Sequence, residues 1–428
     1  MSSINNNFGK LPSDTCWDIL KEPIRVGKKN VSNRIVYQAM EGCDGTSVGA
    51  PDELTFRRYK RYAAGGPGVI WIEATSVVPE GRANPRQLYI CKENLDDFKR
   101  LCDVMKETGL RENGFEPFIS VQLTHSGRHS KPQGIPAPII AYRNPYFEKK
   151  IAVTDADIIS DDELDRVSEA MVNGAILSEQ AGFDSADIKA CHGYLLCELL
   201  SAYDRPGKYG GSFENRTRLL RESISEAVRL CSPDFVISSR LNIYDGFPYP
   251  YGFGVAPNGG VTPDYTEAKR MVTDLADAGV GLFNLTMGNP YVNPHVNRPS
   301  RIGPYEPEEP AIAGVTRMLN GIAEVATVLK DRVPVVCSGL SYLAEDAPGV
   351  AAGCIGKDWF QLAGFGREAF AYPNIAKDIC SGREINKKQL CVTCSKCTEL
   401  MRNGGTTGCI IRDAEIYAPL YKQYVLKK

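Results

Sequence analysis

The sequence has no surplus of charge of either sign and no long apolar run. Lys and Arg total 50 against 52 Asp and Glu, a formal net charge of −2. That balance supplies neither the basic footprint of a nucleic-acid binder nor a surface for acidic membranes. No uninterrupted apolar stretch approaches the ~18 residues of a membrane span. The opening Met1-Ser-Ser-Ile-Asn-Asn-Asn7 has neither a basic n-region nor an apolar h-region. The expectation is a cytoplasmic protein with no nucleic-acid and no membrane partner. G-x-G-x-x-G is also missing throughout, which removes the dinucleotide fingerprint of an open doubly wound sheet. The glycines of Gly349-Val-Ala-Ala-Gly-Cys-Ile-Gly356 precede a strand, the reverse of what cradling a phosphate requires. Tryptophan is sparse, with only Trp17, Trp71 and Trp359, too few for an aromatic bowl around a cation.

Cysteine is plentiful. Fourteen in 428 residues, behind no export signal, fit a reducing compartment rather than a disulfide scaffold. Ten are dispersed, but Cys391, Cys394, Cys397 and Cys409 follow the pattern C-x2-C-x2-C-x11-C. Such spacing can turn four thiolates toward one centre, and both zinc and an iron–sulfur cube accept four. A zinc ribbon usually offers two separated C-x2-C knuckles; a packed triplet with one distant partner leans toward the cube. Spacing alone leaves both metals open.

Upstream, short apolar runs alternate with helical patterns. Strands are expected at 33–40, 68–74, 117–123, 185–189, 235–240, 282–286, 333–337 and 359–363. Helices are expected near 52–64, 95–108, 161–180, 215–230, 263–278, 313–330 and 344–353. Eight such units most simply close into an α/β fold of the (β/α)8 TIM-barrel type, whose chemistry sits where strands end. Polar groups cluster at those ends: Glu41, Gln122, His125, Lys189, His192, Tyr194, Arg240, Thr286 and Arg367. A Pro-rich excursion at 127–159 and an insertion at 244–262 are placed to shape a pocket.

At Ala39-Met40, Gln122-Leu-Thr-His-Ser-Gly-Arg128, His192-Gly-Tyr-Leu195, Tyr209-Gly-Gly-Ser-Phe-Glu-Asn-Arg216 and Gly366-Arg367, the chain resembles the old yellow enzyme family of FMN-dependent ene-reductases. It looks most like the branch of 2,4-dienoyl-CoA reductase, 2-enoate reductase and trimethylamine dehydrogenase, whose members carry a 4Fe–4S cluster just after the flavin barrel. The resemblance implies an FMN-binding barrel over 1–385 and a cluster-binding extension over 386–428. The iron–sulfur ligands would be Cys391, Cys394, Cys397 and Cys409. Ala39, Met40 and Ala74 would line the flavin ring, and Gln122 would meet its pyrimidine edge. Arg240 would face its N1–O2 side, where a fixed cation stabilises the reduced anion. Phosphate would lie on Gly339, Leu340, Gly366 and Arg367.

The same resemblance makes Tyr194 the proton donor to the α-carbon of an activated alkene; a phenol is protonated at neutral pH and can serve as the acid. His192 and Lys189 fall where relatives bind a substrate carbonyl. The lysine departs from the usual histidine and favours a carbonyl or carboxylate over a cationic amine. His295 resembles a histidine that assists the tyrosine. Glu41 falls where the family usually places a small polar residue near the flavin's O4–N5 edge, so it counts among the cofactor-binding residues; its charge is accounted for either by pairing with Lys189 or by pointing away. His125 is expected to be buried near the flavin or cluster, and Asp204-Arg205 to be loop architecture.

The implied activity is reduction of the C=C bond of a small unsaturated carbonyl or carboxylate compound, in a setting of anaerobic metabolism. Relatives of that branch continue into FAD- and nucleotide-binding domains, whereas this chain ends at Lys428. Electrons are therefore expected from NAD(P)H or from a separate ferredoxin, flavodoxin or FAD reductase. The alternative is an amine or C–H dehydrogenase or demethylase passing electrons outward. A homo-oligomer is in keeping with the family.

Overall fold

The structure is a computed structural model that describes residues 11–149 and 151–427. The N-terminal stretch read above for a leader lies outside them. Strands β1 (Ile24–Val26) and β2 (Lys29–Val31) form an antiparallel hairpin. Eight parallel strands follow: β3 (Ile35–Tyr37), β4 (Val69–Ser76), β5 (Phe118–Thr124), β6 (Ser185–Ile188), β7 (Val236–Asn242), β8 (Leu282–Thr286), β9 (Val335–Val336) and β10 (Ala363–Phe365). Their order is β10-β3-β4-β5-β6-β7-β8-β9, and a bridge from Val336 to Leu362 closes the ring. The expected TIM barrel is the observed fold.

Side chains alternate across a strand, so every second residue points inward. Val36, Val69, Phe118, Val236, Leu282, Val336 and Leu362 form one apolar cluster, which Val26 and Val31 of the hairpin join from below. Two residues on, the interior turns polar. Gln38 and Asn284 exchange amide hydrogen bonds of 3.1 and 2.7 Å, and the hydroxyls of Ser120, Ser185 and Ser238 contact one another at 2.8–3.2 Å. Two residues further come Met40, Gln122, Arg240 and Thr286, at the mouth.

In β4 the register slips between Ile72 and Ala74. The bulge makes Glu73 the extra residue and sends its carboxylate outward. There it meets Arg58 of helix Glu53–Ala64, which also holds Asp44 at 2.5 and 3.0 Å. Glu73 accepts in turn from the Gly42 amide at 2.6 Å, so this buried network fixes the loop that carries Glu41. Burial raises the Glu73 carboxyl to about 7 against the pull of Arg58. Removing one partner from such a network strands a buried charge; Arg58→Met is expected to lower unfolding free energy by about 3–5 kcal/mol, read as a fall in the thermal midpoint.

Ser160 and Glu163 form a reciprocal cap at 3.2 and 2.9 Å that opens helix Asp161–Gln180. The eighth strand was expected at 359–363 but lies at Ala363–Phe365. Phe360 and Leu362 are fully buried before or at its edge, so the apolar run there reflects packing of the approach. The hairpin strands, three residues each, are too short to carry a period.

After the barrel the tail forms helices Lys396–Arg402 and Ala414–Tyr421 around a small core of Leu400, Ile410, Tyr417 and Tyr421. Asp413 ties it to helix Glu53–Ala64 through Arg57 at 2.7 and 2.9 Å and through Arg61. The Thr407 amide donates to Gly42 O at 2.7 Å, which brings the tail against the same loop as Glu41.

Candidate active site

At the barrel mouth, Asp187 organises the floor. It accepts from Trp71 Nε1 at 2.8 Å, Gln122 Nε2 at 2.7 Å and the Arg240 amide at 2.6 Å. Gln122 thus already commits one N–H inside the protein. The Arg240 side chain continues past this layer, 7% exposed, and its strongest polar contact is a long 3.5 Å approach to Ser338 Oγ. It forms no ion pair among the described residues, so it is not a solvated surface arginine.

Arg240 opens onto a cavity lined by Ala39, Met40, His192, Gly339, Gly366 and Arg367. These are six of the residues expected around the flavin or substrate. Within it, Arg240 Nε, Arg298 Nε, Arg367 Nη1 and His192 Nε2 are enclosed without a protein hydrogen-bond partner. The three guanidinium nitrogens are donors and demand an acceptor. An anionic ligand with a phosphate and an electron-rich ring edge answers that demand, so the residues present fit FMN. Gly339 has φ of +95°, and a Cβ there would stand 3.0 Å from Met318 Sδ, so this turn is built for glycine. Ala74, Gln122 and Leu340 are buried but do not line this cavity; the Leu340 side chain belongs to the hydrophobic core, while Ser338 and Ser341 offer hydroxyls in its place. Arg240→Met is expected to weaken flavin retention at least tenfold, because a charge-assisted bond contributes about 1.5–3 kcal/mol; the flavin-to-protein ratio after gel filtration reads it.

Tyr194 stands next to this cavity at the end of a strained turn. His192 and Gly193 both have φ of +70°, an unusual state for a histidine. A Cβ on Gly193 would meet Asn289 Nδ2 at 2.0 Å. The turn delivers the Tyr194 ring, 3% exposed, with Lys189 Nζ 3.7 Å from its centroid. The Tyr194 hydroxyl lies 2.7 Å from Glu41 Oε1 and 2.8 Å from the Tyr291 hydroxyl. Burial, then the Glu41 charge, push its pKa well above the ordinary phenol value. Lys189 is buried, and desolvation lowers its pKa.

These contacts decide between the open alternatives for Glu41 and correct the expectation for His295. Glu41 binds Tyr194 rather than forming an ion pair with Lys189, because Lys189 is held over the ring face. His295 does not reach Tyr194: the short helix Pro294–Asn297 turns it to the Tyr305 hydroxyl. Tyr291 from the same loop takes that place. Asn289 Oδ1 fixes it by accepting from the Tyr291 amide at 2.8 Å.

Tyr291 also stacks on His129, with ring centroids 3.7 Å apart. Burial keeps His129 neutral, its pKa well below the usual value, and its Nε2 has no partner. In the sequence His129 only opens the Pro-rich excursion, and nothing marks Arg298. His125, by contrast, is buried but accepts only the local Gly127 amide at 3.0 Å. Arg205 is loop architecture, donating to Ala141 O, Ile159 O and Asp161 at 2.6–2.8 Å.

Outside Tyr194 lies a cavity of about 700 Å³, large enough for a substrate-sized molecule. Glu41, His129 and Tyr291 form its inner wall; Arg86, Lys131 and Arg402 make its rim basic. Arg402 comes from the tail.

Cys391, Cys394, Cys397 and Cys409 line one small cavity together with Arg367. Among the described residues no three His, Cys, Asp or Glu side chains form a group that could hold a metal ion. Thr393 and Ser395 take left-handed φ of +47° and +59° in the knuckle. The amides of Thr393 and Arg412 donate to Cys391 Sγ and Cys409 Sγ, each at 3.4 Å, contacts that stabilise thiolates and tune clusters. Helix Lys396–Arg402 touches all three cavities, with Cys397 at this one, Thr398 at the flavin cavity and Arg402 at the outer one.

Residues 20–252 match the NADH:flavin oxidoreductase / NADH oxidase family. The chain belongs to that family. The chain is 34% identical to an NADPH dehydrogenase of Geobacillus sp. (strain WCH70) over 282 residues, 63% of this chain and 73% of that protein. An NADPH dehydrogenase of Bacillus subtilis (strain 168) is 34% identical over 210 residues, 48% of this chain and 58% of the relative. Among solved structures, a 2-naphthoyl-CoA reductase complex superposes with TM-score 0.76 at 20% identity, covering 92% of this chain and 57% of that one. The old yellow enzyme homologue from Zymomonas mobilis gives 0.64 at 21%, covering 86% and 94%. Histamine dehydrogenase from Rhizobium sp. 4-9 gives 0.69 at 21%, covering 92% and 52%. The chain thus spans a little over half the length of the first and third of these structures. At such identities they establish the fold alone. Family membership makes the protein a flavin-dependent oxidoreductase. Among the described residues no helix is long and apolar enough to cross a membrane.

Proposed function

We propose that this flavoprotein reduces the C=C bond of a small α,β-unsaturated carbonyl or carboxylate compound. The observation that carries the reading is Tyr194, a buried phenol between a cavity of unpartnered guanidinium donors and an open basic cavity. FMN, when bound, supplies hydride to the alkene. The protein's own groups do the rest. Arg240, Arg298 and Arg367 hold the cofactor's negative charge, with the Ser338 and Ser341 hydroxyls beside them. Lys189 and the basic rim attract an electron-poor, carbonyl- or carboxylate-bearing substrate. Tyr194 O–H gives its proton to the substrate α-carbon, and its raised pKa keeps that proton in place until the carbon needs it.

We take residues 1–385 as the flavin barrel and 386–428 as a cluster-bearing extension. A 4Fe–4S cube on Cys391, Cys394, Cys397 and Cys409 would supply electrons singly. Three features support this: the shared cavity, the two N–H···S contacts, and Arg367 at the wall of both the cysteine and flavin cavities. NAD(P)H or a separate electron-transfer protein would deliver the electrons. Val392 and Ile411, 40% and 41% exposed beside the cysteines, offer an apolar landing for such a partner. Outward electron flow from an amine is disfavoured, since a cation would meet Lys189, Lys131, Arg86 and Arg402.

Anaerobic assays of the reduced holoenzyme with 2-cyclohexenone, trans-cinnamate and trimethylamine separate these readings. Reoxidation by the unsaturated compounds, with one solvent deuterium at the α-carbon, is expected. Reduction of the oxidised enzyme by the amine, with no reoxidation by either alkene, would refute the proposal.

A further inference from the structure

We infer that Glu41 is the proton reservoir for Tyr194, and that its protonation state decides where the Tyr194 hydroxyl points. The inference rests on the ene-reductase reading above. It follows from counting hydrogens. Each phenol carries a single O–H. With Glu41 ionised, the 2.7 Å contact requires Tyr194 to donate to Glu41 Oε1. The 2.8 Å contact to Tyr291 must then run from Tyr291 to the Tyr194 oxygen. In that state the acid proton faces a carboxylate and not the substrate. With Glu41 protonated the polarity reverses: the carboxyl donates to the Tyr194 oxygen, and the Tyr194 O–H is released to turn toward the substrate.

Position supports the role. Tyr194 is 3% exposed and does not line the outer cavity, whereas Glu41 and Tyr291 do. Glu41 is thus the only carboxyl among the described residues lining that cavity, and it bridges the buried phenol to solvent. Its loop is clamped, by Glu73 on the Gly42 amide and by the tail's Thr407 amide on Gly42 O. The groups facing it are Lys189 after β6, Tyr194 on the following turn, Tyr291 after β8, Glu73 on β4 and Cys43 on its own loop. His129 and Arg402 approach from behind Tyr291.

The step balances. The Tyr194 O–H bond breaks as its proton joins the substrate α-carbon, using the electron pair left there by hydride addition to the β-carbon. The Glu41 carboxyl proton passes to the Tyr194 oxygen. Glu41 is left as a carboxylate and recovers a proton from water in the outer cavity. No reductant beyond the flavin's hydride is needed.

The test is the anaerobic reoxidation of reduced holoenzyme by 2-cyclohexenone and by trans-cinnamate. Glu41→Gln can still hydrogen-bond but cannot transfer a proton, so its rate should drop roughly a hundredfold. Glu41→Ala should be equally slow and accelerate in proportion to added formic acid, a rescue that a structural role would not produce. A Glu41→Gln enzyme that matches the wild-type rate overturns the inference, as does a Glu41→Ala enzyme that formic acid fails to accelerate. If the reduced wild type is reoxidised by neither probe, the ene-reductase reading itself has failed, an outcome distinct from wild-type turnover with silent variants.

Discussion

Tyr194→Phe should lose alkene reduction by about 10²–10⁴-fold, the range for a positioned general acid, while still holding FMN. The ring packs against Lys189 Nζ at 3.7 Å and near His129 and Tyr291, and phenylalanine preserves all of that surface. Only the hydroxyl goes. Its loss removes the positioned acid, and His129, held neutral by burial, does not replace it. Rapid mixing of the reduced variant with 2-cyclohexenone isolates this step from flavin reduction. A variant within threefold of the wild type would remove Tyr194 from the chemistry and point to solvent as the proton source.

Cys394→Ala should abolish the iron–sulfur absorption and slow flavin reduction by a one-electron donor, such as reduced methyl viologen, at least tenfold. The fold should survive. Asp413 is anchored to Arg57 and Arg61, and Leu400, Ile410, Tyr417 and Tyr421 pack independently of the cysteines. The cysteine and flavin cavities share Arg367, so an electron at the tail has a short way to the flavin. NADPH gives the control. Equally rapid flavin reduction by NADPH alone in both proteins would show that the cysteines are not on the electron path.

Much of the barrel was legible because its signals are local. Apolar runs separated by helical patterns gave the eight units, and helix Asp161–Gln180 lies where the pattern places it. Strand ends then gave part of the site, since Met40 and Arg240 lie four residues beyond the inward Val36 and Val236, whereas Gly366-Arg367 came through the resemblance. The parts that escaped depend on contacts between distant segments. Tyr291 meets Tyr194 across 97 positions, through a loop whose course is set by Asn289 and Asn293. His129 looked like the start of an excursion until Tyr291 stacked on it. Arg298 gains its place from Thr398 in the tail, 3.0 Å away. For Glu41 the sequence left pairing with Lys189 and pointing away both open; in the fold the Tyr194 ring lies under the lysine and its hydroxyl takes the carboxylate. His295 was carried over by position in a loop whose short helix turns it outward.

Native material should decide the centre of the account: the protein purified without oxygen, its absorption spectrum recorded, and its flavin, iron, sulfide and zinc measured on one sample. Brown protein with about one FMN and about four irons and four sulfides per chain is the predicted result. A yellow protein with zinc in place of iron would leave the flavin site standing and overturn the tail, and a colourless one would contradict both.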